Sequence, residues 1–451
     1  VAIGFYINTV AASMAPAINK IRDNGCMTRT LNDWLDYQLQ THPKSIDMGL
    51  DRITEVAKRL DIKKIATRVI TVGGTNGKGS TVAFIEAIAT AAGWKVGAYT
   101  SPHVLVYNER VRVQGENASD GELITAFAKI ENARLQGVEI PLTYFEFGTL
   151  AAALVFAEKN LDLVILEVGL GGRLDATQII EPDIAVITTV DLDHQDYLGD
   201  DRETIGFEKA GIIRAWKPVI FGEKDPPSSA LRRAYALGAT AIRGHSDYLI
   251  DRLENSWRWR EPGYEIELPM PALAAPVQIE NAAAAIAALR ALSDEITDVA
   301  IIQGIADARI PGRLETLSTH PDIVLDVAHN PQAARQLAQW LQENPKNTYA
   351  VFAALLDKDV EAIVSLLKPH IQQWFLAGID DAGSRNSTSA QLKTRVEASI
   401  TEPVLSCYDS VAQALQAARE QAKPDERVLV LGSFHTVAAA IRAVKTGLAE
   451  L

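Results

Sequence analysis

One segment constrains this chain more than any other. An apolar run, Arg68–Val72, leads into Gly73-Gly74-Thr75-Asn76-Gly77-Lys78-Gly79-Ser80-Thr81, and a helical pattern over Gly79–Ala92 follows, with Gly93 in the usual stop position. A strand that feeds a glycine-rich turn and then a helix is a phosphate cradle. The glycines let the backbone turn tightly, so that N–H groups point at phosphate oxygens. The helix start adds unsatisfied donors and the positive end of its dipole. Lys78 would reach the β- and γ-phosphates of a nucleotide, and Ser80 or Thr81 would touch the phosphates or Mg²⁺. Gly79 separates Lys78 from Ser80, which departs from the ordinary P-loop spacing. A functionless turn would not need strand, glycines, lysine, hydroxyls and helix in this order.

The same strand–helix alternation runs along the chain and predicts α/β layers with largely parallel sheets. Strands are expected at Lys95–Tyr99, Leu163–Val168 and Ile184–Val190, and helices at Leu31–Leu39, Tyr144–Glu158, Glu203–Ile213 and Glu280–Leu292. The stretch from Glu223 to Pro276 is less regular and reads as turns or antiparallel strands. From Pro321 the alternation restarts, with strands at Ile323–Asp326, Tyr349–Ala353, Trp374–Ala377, Pro403–Cys407 and Arg427–Leu431. At 451 residues the chain is too long for one ordinary core. We therefore expect an ATP-binding P-loop domain over 28–305, a linker at 306–311, and a smaller Rossmann-like doubly wound domain over 312–451. Residues 1–27 read as a non-native or upstream extension, with Met27 as a start.

Composition excludes some function classes. A net charge of −13 and the lack of a dense Lys/Arg run argue against nucleic acid as a partner. Neither cysteine, Cys26 or Cys407, lies in a CxxC pair, so there is no disulfide framework and no zinc signature, which fits a cytoplasmic protein. No apolar run approaches the ~20 residues of a membrane span. Nothing in the sequence demands an interface, so a monomer is expected.

The segment Gly74–Thr81 resembles the signature of the Mur ligase superfamily, and more closely its folylpolyglutamate synthase and dihydrofolate synthase branch. Further matches follow in the family's order: Thr100-Ser101-Pro102-His103, the run Leu166–Thr177, Asp193-His194, Glu208–Ile212, Pro311-Gly312-Arg313, Asp326–Pro331, Asp357-Lys358-Asp359 and Gly432-Ser433. The resemblance covers the chain from about residue 30 to its end. It implies an ATP-dependent ligase whose nucleotide sits between the two domains. ATP would phosphorylate a carboxylate, and the amino group of L-glutamate would displace phosphate to give an amide.

That chemistry brings an anionic carboxylate against an anionic γ-phosphate, so cations must stabilise the transferred charge. Lys78 is one and Mg²⁺ another, with two metal sites expected. The resemblance makes Ser101 and Glu167 ligands of the first metal and His194 a ligand of the second. It makes Lys209 the lysine that reacts with CO₂ to give a carbamate; read alone, Lys209 would be a helical lysine paired with Glu208 or Glu203. A monovalent cation is a further expectation of the family. Asn281 resembles the asparagine near the adenine; read alone, it would equally be a helix N-cap. Arg313 would clamp the ATP phosphates from the linker. Asp326, His329 and Ser433 would hold the incoming glutamate, with His329 or Asp326 orienting the amine or taking its proton. Asp357-Lys358-Asp359 would steer nucleotide or aid domain closure, or be a solvated turn.

The acceptor divides the family. Leu142–Leu150 resembles the pterin side of the bacterial bifunctional enzymes, with Thr143 and Phe145 against the ring and Asp175 accepting from its nitrogens. Ile46–Leu50 resembles a loop near that pocket. This favours action on both dihydropteroate and tetrahydrofolates over a monofunctional polyglutamate synthase. A peptidoglycan-precursor ligase, a nucleotide-dependent switch and a P-loop kinase would share the phosphate turn. The run Leu166–Thr177 argues against the first, a switch would not need Asp326 and His329, and a kinase would ignore glutamate.

Overall fold

The structure is a computed structural model describing residues 29–44, 46–399 and 405–447. The expectations for Cys26, Met27 and the N-terminal extension lie outside these residues.

The N-terminal part is built on an eight-stranded sheet. Its strands in chain order are β1 (Ala66–Gly73), β2 (Val96–Tyr99), β3 (Val111–Val113), β4 (Glu116–Asn117), β5 (Leu161–Glu167), β6 (Ile184–Ile187), β7 (Pro218–Phe221) and β8 (Thr240–Arg243). The spatial order is β4-β3-β2-β5-β1-β6-β7-β8. Pairing is parallel from β2 to β8, while β3 and β4 add an antiparallel ribbon at one edge. The central strands are apolar because helices cover both faces. On one face lie the helices Lys78–Ala91 and Gln278–Leu292, packed with Trp257 and Trp259. On the other lie Leu31–Thr41, Asp51–Arg59, Asp120–Arg134 and Tyr144–Ala157.

The irregular stretch contains more than its turn residues suggested. The helix Ser228–Ala236 and the parallel strand β8 occupy its first half. Only then comes the antiparallel sheet of β9 (Leu249–Arg252), β10 (Ser256–Glu261) and β11 (Tyr264–Pro269), ordered β11-β10-β9. Pro226-Pro227 masked the helix because it precedes the first turn, where proline is tolerated.

The C-terminal sheet holds β12 (Arg313–Thr319), β13 (Asp322–Asp326), β14 (Thr348–Phe352), β15 (Gln373–Ala377), β16 (Leu405–Tyr408) and β17 (Arg427–Leu431), ordered β12-β13-β17-β14-β15-β16. It is parallel except for β12, an antiparallel edge strand the sequence pattern did not reveal. Arg313 opens that strand rather than lying in a free linker. A polar, exposed-edge pattern of Arg-Leu-Glu-Thr-Leu-Ser-Thr carries little strand signal.

The register places the chemistry. Val72 pairs with Glu167 and Gly73 with Ile187, so the carboxyl ends of β1, β5 and β6 reach one level. In the second sheet Asp326 and Phe352 both align with Leu431. In open α/β sheets ligands bind beyond these strand ends. The two rows of strand ends face each other across a common cleft, lined from one side by Gly74–Gly79, Ser101, Glu167, His194 and Lys209 and from the other by Arg313, His329 and Phe434.

Candidate active site

The phosphate loop follows β1 and is braced from behind. Thr75 N donates to Thr189 O (2.7 Å), Asn76 N to Thr189 Oγ1 (3.2 Å), and Thr188 Oγ1 to Asn76 O (2.6 Å). Two glycines are required by both space and backbone. Gly74 has φ +143° and a Cβ there would lie 1.9 Å from Thr188 Oγ1; Gly77 has φ +86° and a Cβ would lie 2.4 Å from Asn281 Oδ1. Gly79 passes beneath Glu167, 3.8 Å from its carboxylate to a built Cβ. Ser80 lines a neighbouring hollow. Thr81 lines neither that hollow nor the cleft. It is 0 % exposed, because one helical step turns it about 100° away from Ser80, into the core.

Two lysines converge on one carbonyl. Lys78 Nζ donates to Gly74 O (3.1 Å) and Thr75 O (3.0 Å), and Lys209 Nζ donates to the same Gly74 O (2.9 Å). Burial lowers the Lys78 ammonium, with Glu167 pulling the other way. Lys209 is 4 % exposed, and burial, aided by the charge of Lys78, pushes it down to about 7. The expected surface pairing of Lys209 with Glu208 or Glu203 does not form; Glu208 pairs with Arg173 instead (2.9 Å).

Glu167 ends β5 and accepts from Ser101 N at 3.1 Å, and both residues line the cleft beside the phosphate loop. Burial raises the Glu167 carboxyl, opposed by Lys78. His194 sits on a left-handed backbone (φ +53°) and lines the same cleft. Desolvation pushes its imidazole down to about 4 against the pull of Asp193, so the ring is neutral near neutral pH. Among the described residues no three His, Cys, Asp or Glu side chains form a ready metal cluster.

A second hollow adjoins the cleft. Asn281 and Gln278 present buried amides there, with Asn281 Nδ2 donating to Gln278 Oε1 (3.0 Å), and Ala275, Val277, Leu314, Val327 and Ala333 form apolar walls. An N-cap role for Asn281 fails, since Val277 holds that position and Asn281 lies inside the first turn. Arg313 reaches both hollows and stacks over Phe434, its guanidinium 5.3 Å from the ring centre.

Across the cleft, Asp326 shapes its own loop, with Oδ2 accepting from Leu314 N (3.0 Å) and Oδ1 from Ala328 N (2.8 Å). His329 Nδ1 lies 3.0 Å from Val327 O, which leaves Nε2 facing Asp193 Oδ2 at 3.7 Å. Ser433 is buried and caps the helix Phe434–Lys445; its hydroxyl accepts from Thr436 N (3.0 Å) and pairs with Thr436 Oγ1 (2.7 Å). The pterin-side residues are likewise engaged. Thr143 is the N-cap of Tyr144–Ala157 in a capping box with Glu146. Asp175 takes four internal bonds, from Gly169 N (3.0 Å), Leu170 N (3.0 Å), Thr177 N (3.0 Å) and Thr177 Oγ1 (2.7 Å). Phe145 covers Gly169, where a Cβ would lie 2.6 Å from its ring.

The sequence missed the residues that join the domains. Asp193 Oδ1 receives Lys358 Nζ at 3.0 Å, and Lys358 is 7 % exposed, so the Asp-Lys-Asp turn is not simply solvated. Burial would raise Asp193, but His329, Lys358 and His194 hold it well below the carboxylate range. Asp193-His194 and Lys358 stood out as motif residues, yet the 165 positions separating Asp193 from Lys358 carry no signal that they touch.

The Mur ligase middle-domain family matches residues 72–289, and the Mur ligase glutamate ligase domain matches 312–434. The dihydrofolate synthase/folylpolyglutamate synthase of Escherichia coli is 46% identical over 411 residues, spanning 90% of this chain and 94% of that one. This chain belongs to the dihydrofolate synthase/folylpolyglutamate synthase family of Mur ligases. The enzyme of the same name from Haemophilus influenzae is 38% identical, over 91% and 97% of the two chains. Among solved structures, Escherichia coli FolC in complex with DHPP and ADP superimposes with a TM-score of 0.87 at 44% identity, covering 93% of this chain and 98% of that one. The Yersinia pestis bifunctional enzyme complexed with AMPPNP and Mn ion gives 0.86 at 41% identity, covering 94% and 100%. The chain is thus an ATP-dependent ligase of the Mur type, and the expected two-part α/β architecture holds. No helix among the described residues is long and apolar enough to cross a membrane.

Proposed function

We propose that this protein joins L-glutamate to folate-type carboxylates in two settings: to dihydropteroate, giving dihydrofolate, and to tetrahydrofolates, extending their glutamate chain. The observation that carries the reading is the single cleft in which Lys78, Lys209 and Glu167 of one domain face Arg313 and His329 of the other. We take the domains as 28–305 and 312–451, joined by 306–311.

The adenine would lie between the Asn281 and Gln278 amides and the apolar walls beside them, and the phosphates on the Gly74–Ser80 turn. A carboxylate oxygen of the acceptor attacks the γ-phosphorus, and ADP leaves. Lys78 and Arg313 stabilise the charge on the phosphoryl oxygens. The amine of glutamate then attacks the acyl carbon, and phosphate departs. His329 Nε2, which faces the cleft beside Asp193 Oδ2, is placed to orient the amine or take its proton. Asp326 shapes the loop that carries His329, and Ser433 aims a helix N-terminus at a glutamate carboxylate, both acting through backbone rather than through their own free atoms.

The residues fit Mg²⁺. Ser101 and Glu167 supply oxygens beside the phosphate turn, and His194 is neutral; only two of the expected ligands are of the His, Cys, Asp or Glu type, so phosphate oxygens and water complete the shells. Bound there, Mg²⁺ would neutralise charge on the phosphates. Lys209 fits a second site only as a carbamate, and a buried amine lowered to about 7 is neutral often enough to react with CO₂. The monovalent cation rests on the resemblance alone. Phe145 offers a flat face for the pterin, while Thr143 and Asp175 would shape that pocket and bond the ring only by exchanging an internal partner. We expect a cytoplasmic monomer, checked by fractionation and light scattering.

The test is incubation with MgATP and glutamate plus either dihydropteroate or tetrahydrofolate, with products read by mass spectrometry. Conversion of both supports the reading, tetrahydrofolate alone leaves a monofunctional polyglutamate synthase, and conversion of neither refutes it.

A further inference from the structure

Asn330 lies between His329 and the helix Pro331–Glu343 and is 3 % exposed. A side-chain amide has two donor and two acceptor positions. All four are filled. Oδ1 accepts from Ala333 N (2.9 Å), which caps the helix, and from Asn76 Nδ2 (3.1 Å). Nδ2 donates to Asn76 Oδ1 (3.1 Å) and to Asp193 Oδ2 (3.0 Å). Three of these four bonds therefore cross into the other domain. Two of them form a reciprocal amide pair with a residue of the phosphate turn itself. The neighbours extend the seam: Asn76 Nδ2 also reaches Gln332 Oε1 (2.5 Å), Asp193 pairs with Lys358 (3.0 Å), and Asp191 pairs with Arg335 (2.7 Å).

Capping explains only one of the four bonds. Ser, Thr or Asp would cap as well, since a cap needs an acceptor alone. What asparagine adds is the pair of donors, and both point across the cleft. We propose that Asn330 is a positioning residue that couples the phosphate turn to the glutamate-side domain. When the domains dock, its amide locks onto Asn76 and Asp193, and the adjacent His329 is thereby held opposite Lys78, Lys209 and Glu167. The backbone step from Asn330 to His329 is a single residue, so a shift of the amide moves the imidazole with it. The inference rests on the reading of the cleft as the ligase site.

The test uses the full chain with MgATP, dihydropteroate and varied glutamate. Asn330→Asp retains the cap acceptor, removes both donors and sets a second carboxylate against Asp193. We expect kcat/KM for glutamate to fall about 30-fold, the scale of a lost hydrogen bond to a charged group. The double variant N330D/D193N exchanges donor and acceptor across the seam and should recover about tenfold of the loss. A residue that merely caps its helix gives the opposite pattern, with N330D unaffected and the double variant worse than N330D; either result overturns the proposal. If the unsubstituted protein forms no amide, the ligase reading itself fails, a result distinct from N330D matching an active parent.

Discussion

The glycine-rich turn after β1 is fixed by individual atoms. A methyl group at Gly74 would lie 1.9 Å from Thr188 Oγ1, and Thr188 holds the carbonyl of Asn76. Gly74→Ala should therefore displace the turn and lower ATP-dependent turnover by about 100-fold, the usual result of a misplacement near 1 Å. Steady-state phosphate release measures it. Lys209 makes a second prediction at this scale. Its ordinary value is 10.5 and burial pushes it down to about 7, so below pH 7 the folded protein carries a buried ammonium at full cost. As pH rises from 7 toward 10.5 the unfolded chain binds more protons than the native one, and stability increases with pH. The neutral amine, which alone reacts with CO₂, should grow from about one-tenth at pH 6 to about nine-tenths at pH 8. Enzyme stripped of CO₂ should then regain activity with bicarbonate far more completely at pH 8 than at pH 6. Equal recovery at both, or no response to bicarbonate, would count against a carbamate at Lys209.

The helix Lys78–Ala91 is held in place by its neighbours as much as by its own sequence. Gly304, in the helix Asp298–Asp307, lies against its backbone, and a Cβ there would be 2.5 Å from Ile88 N and Cα. Backbone cannot yield as a side-chain tip can. Gly304→Ala should push the two helices apart and cost about 1–3 kcal/mol in spite of alanine's better helix propensity. Denaturant titration would show the loss. An unchanged midpoint would mean the pair can slide. The capping box of Thr143 and Glu146 works at the same scale. Arg52 bridges Glu146 (3.3 Å) and Asp47 (2.7 Å), which ties the Ile46–Leu50 loop to the helix that presents Phe145.

The two domains share one piece of core. Val104, three residues past Ser101 in the N-terminal part, is 7 % exposed and belongs to the apolar cluster of Val327, Val437 and Ile441. The loop that touches Glu167 is thus anchored by the opposite domain. Val104→Asp would bury an unpaired charge in that junction. It should lower kcat by at least about tenfold, since burying such a charge costs several kcal/mol unless the domains separate. Small-angle scattering with nucleotide bound should show a larger radius of gyration than the parent. A compact variant with full activity would mean that this junction does not govern docking.

The phosphate turn, the parallel strands and most helices were legible in the sequence because each is specified locally, by glycine placement, apolar runs and caps. Gly74, Gly77 and Lys78 could be read as a cradle from the chain alone, and the ordered motifs identified the family. Thr81 sits one helical step from Ser80 and is fully buried, a difference in facing that spacing along the chain does not reveal. Strand β12 was missed because an antiparallel edge strand needs no apolar alternation when one partner, β13, supplies its hydrogen bonds. The carboxylate of Asp175 looked free because nothing in a linear chain tells which backbone amides a loop will fold against it. What the sequence determined by itself was the pair of α/β layers and the chemistry each carries. What only the tertiary structure decided was the seam between them: Asp193, Asn330 and Lys358 meet because two separately folded sheets present their strand ends to one another, and that meeting depends on packing over distances no local pattern encodes.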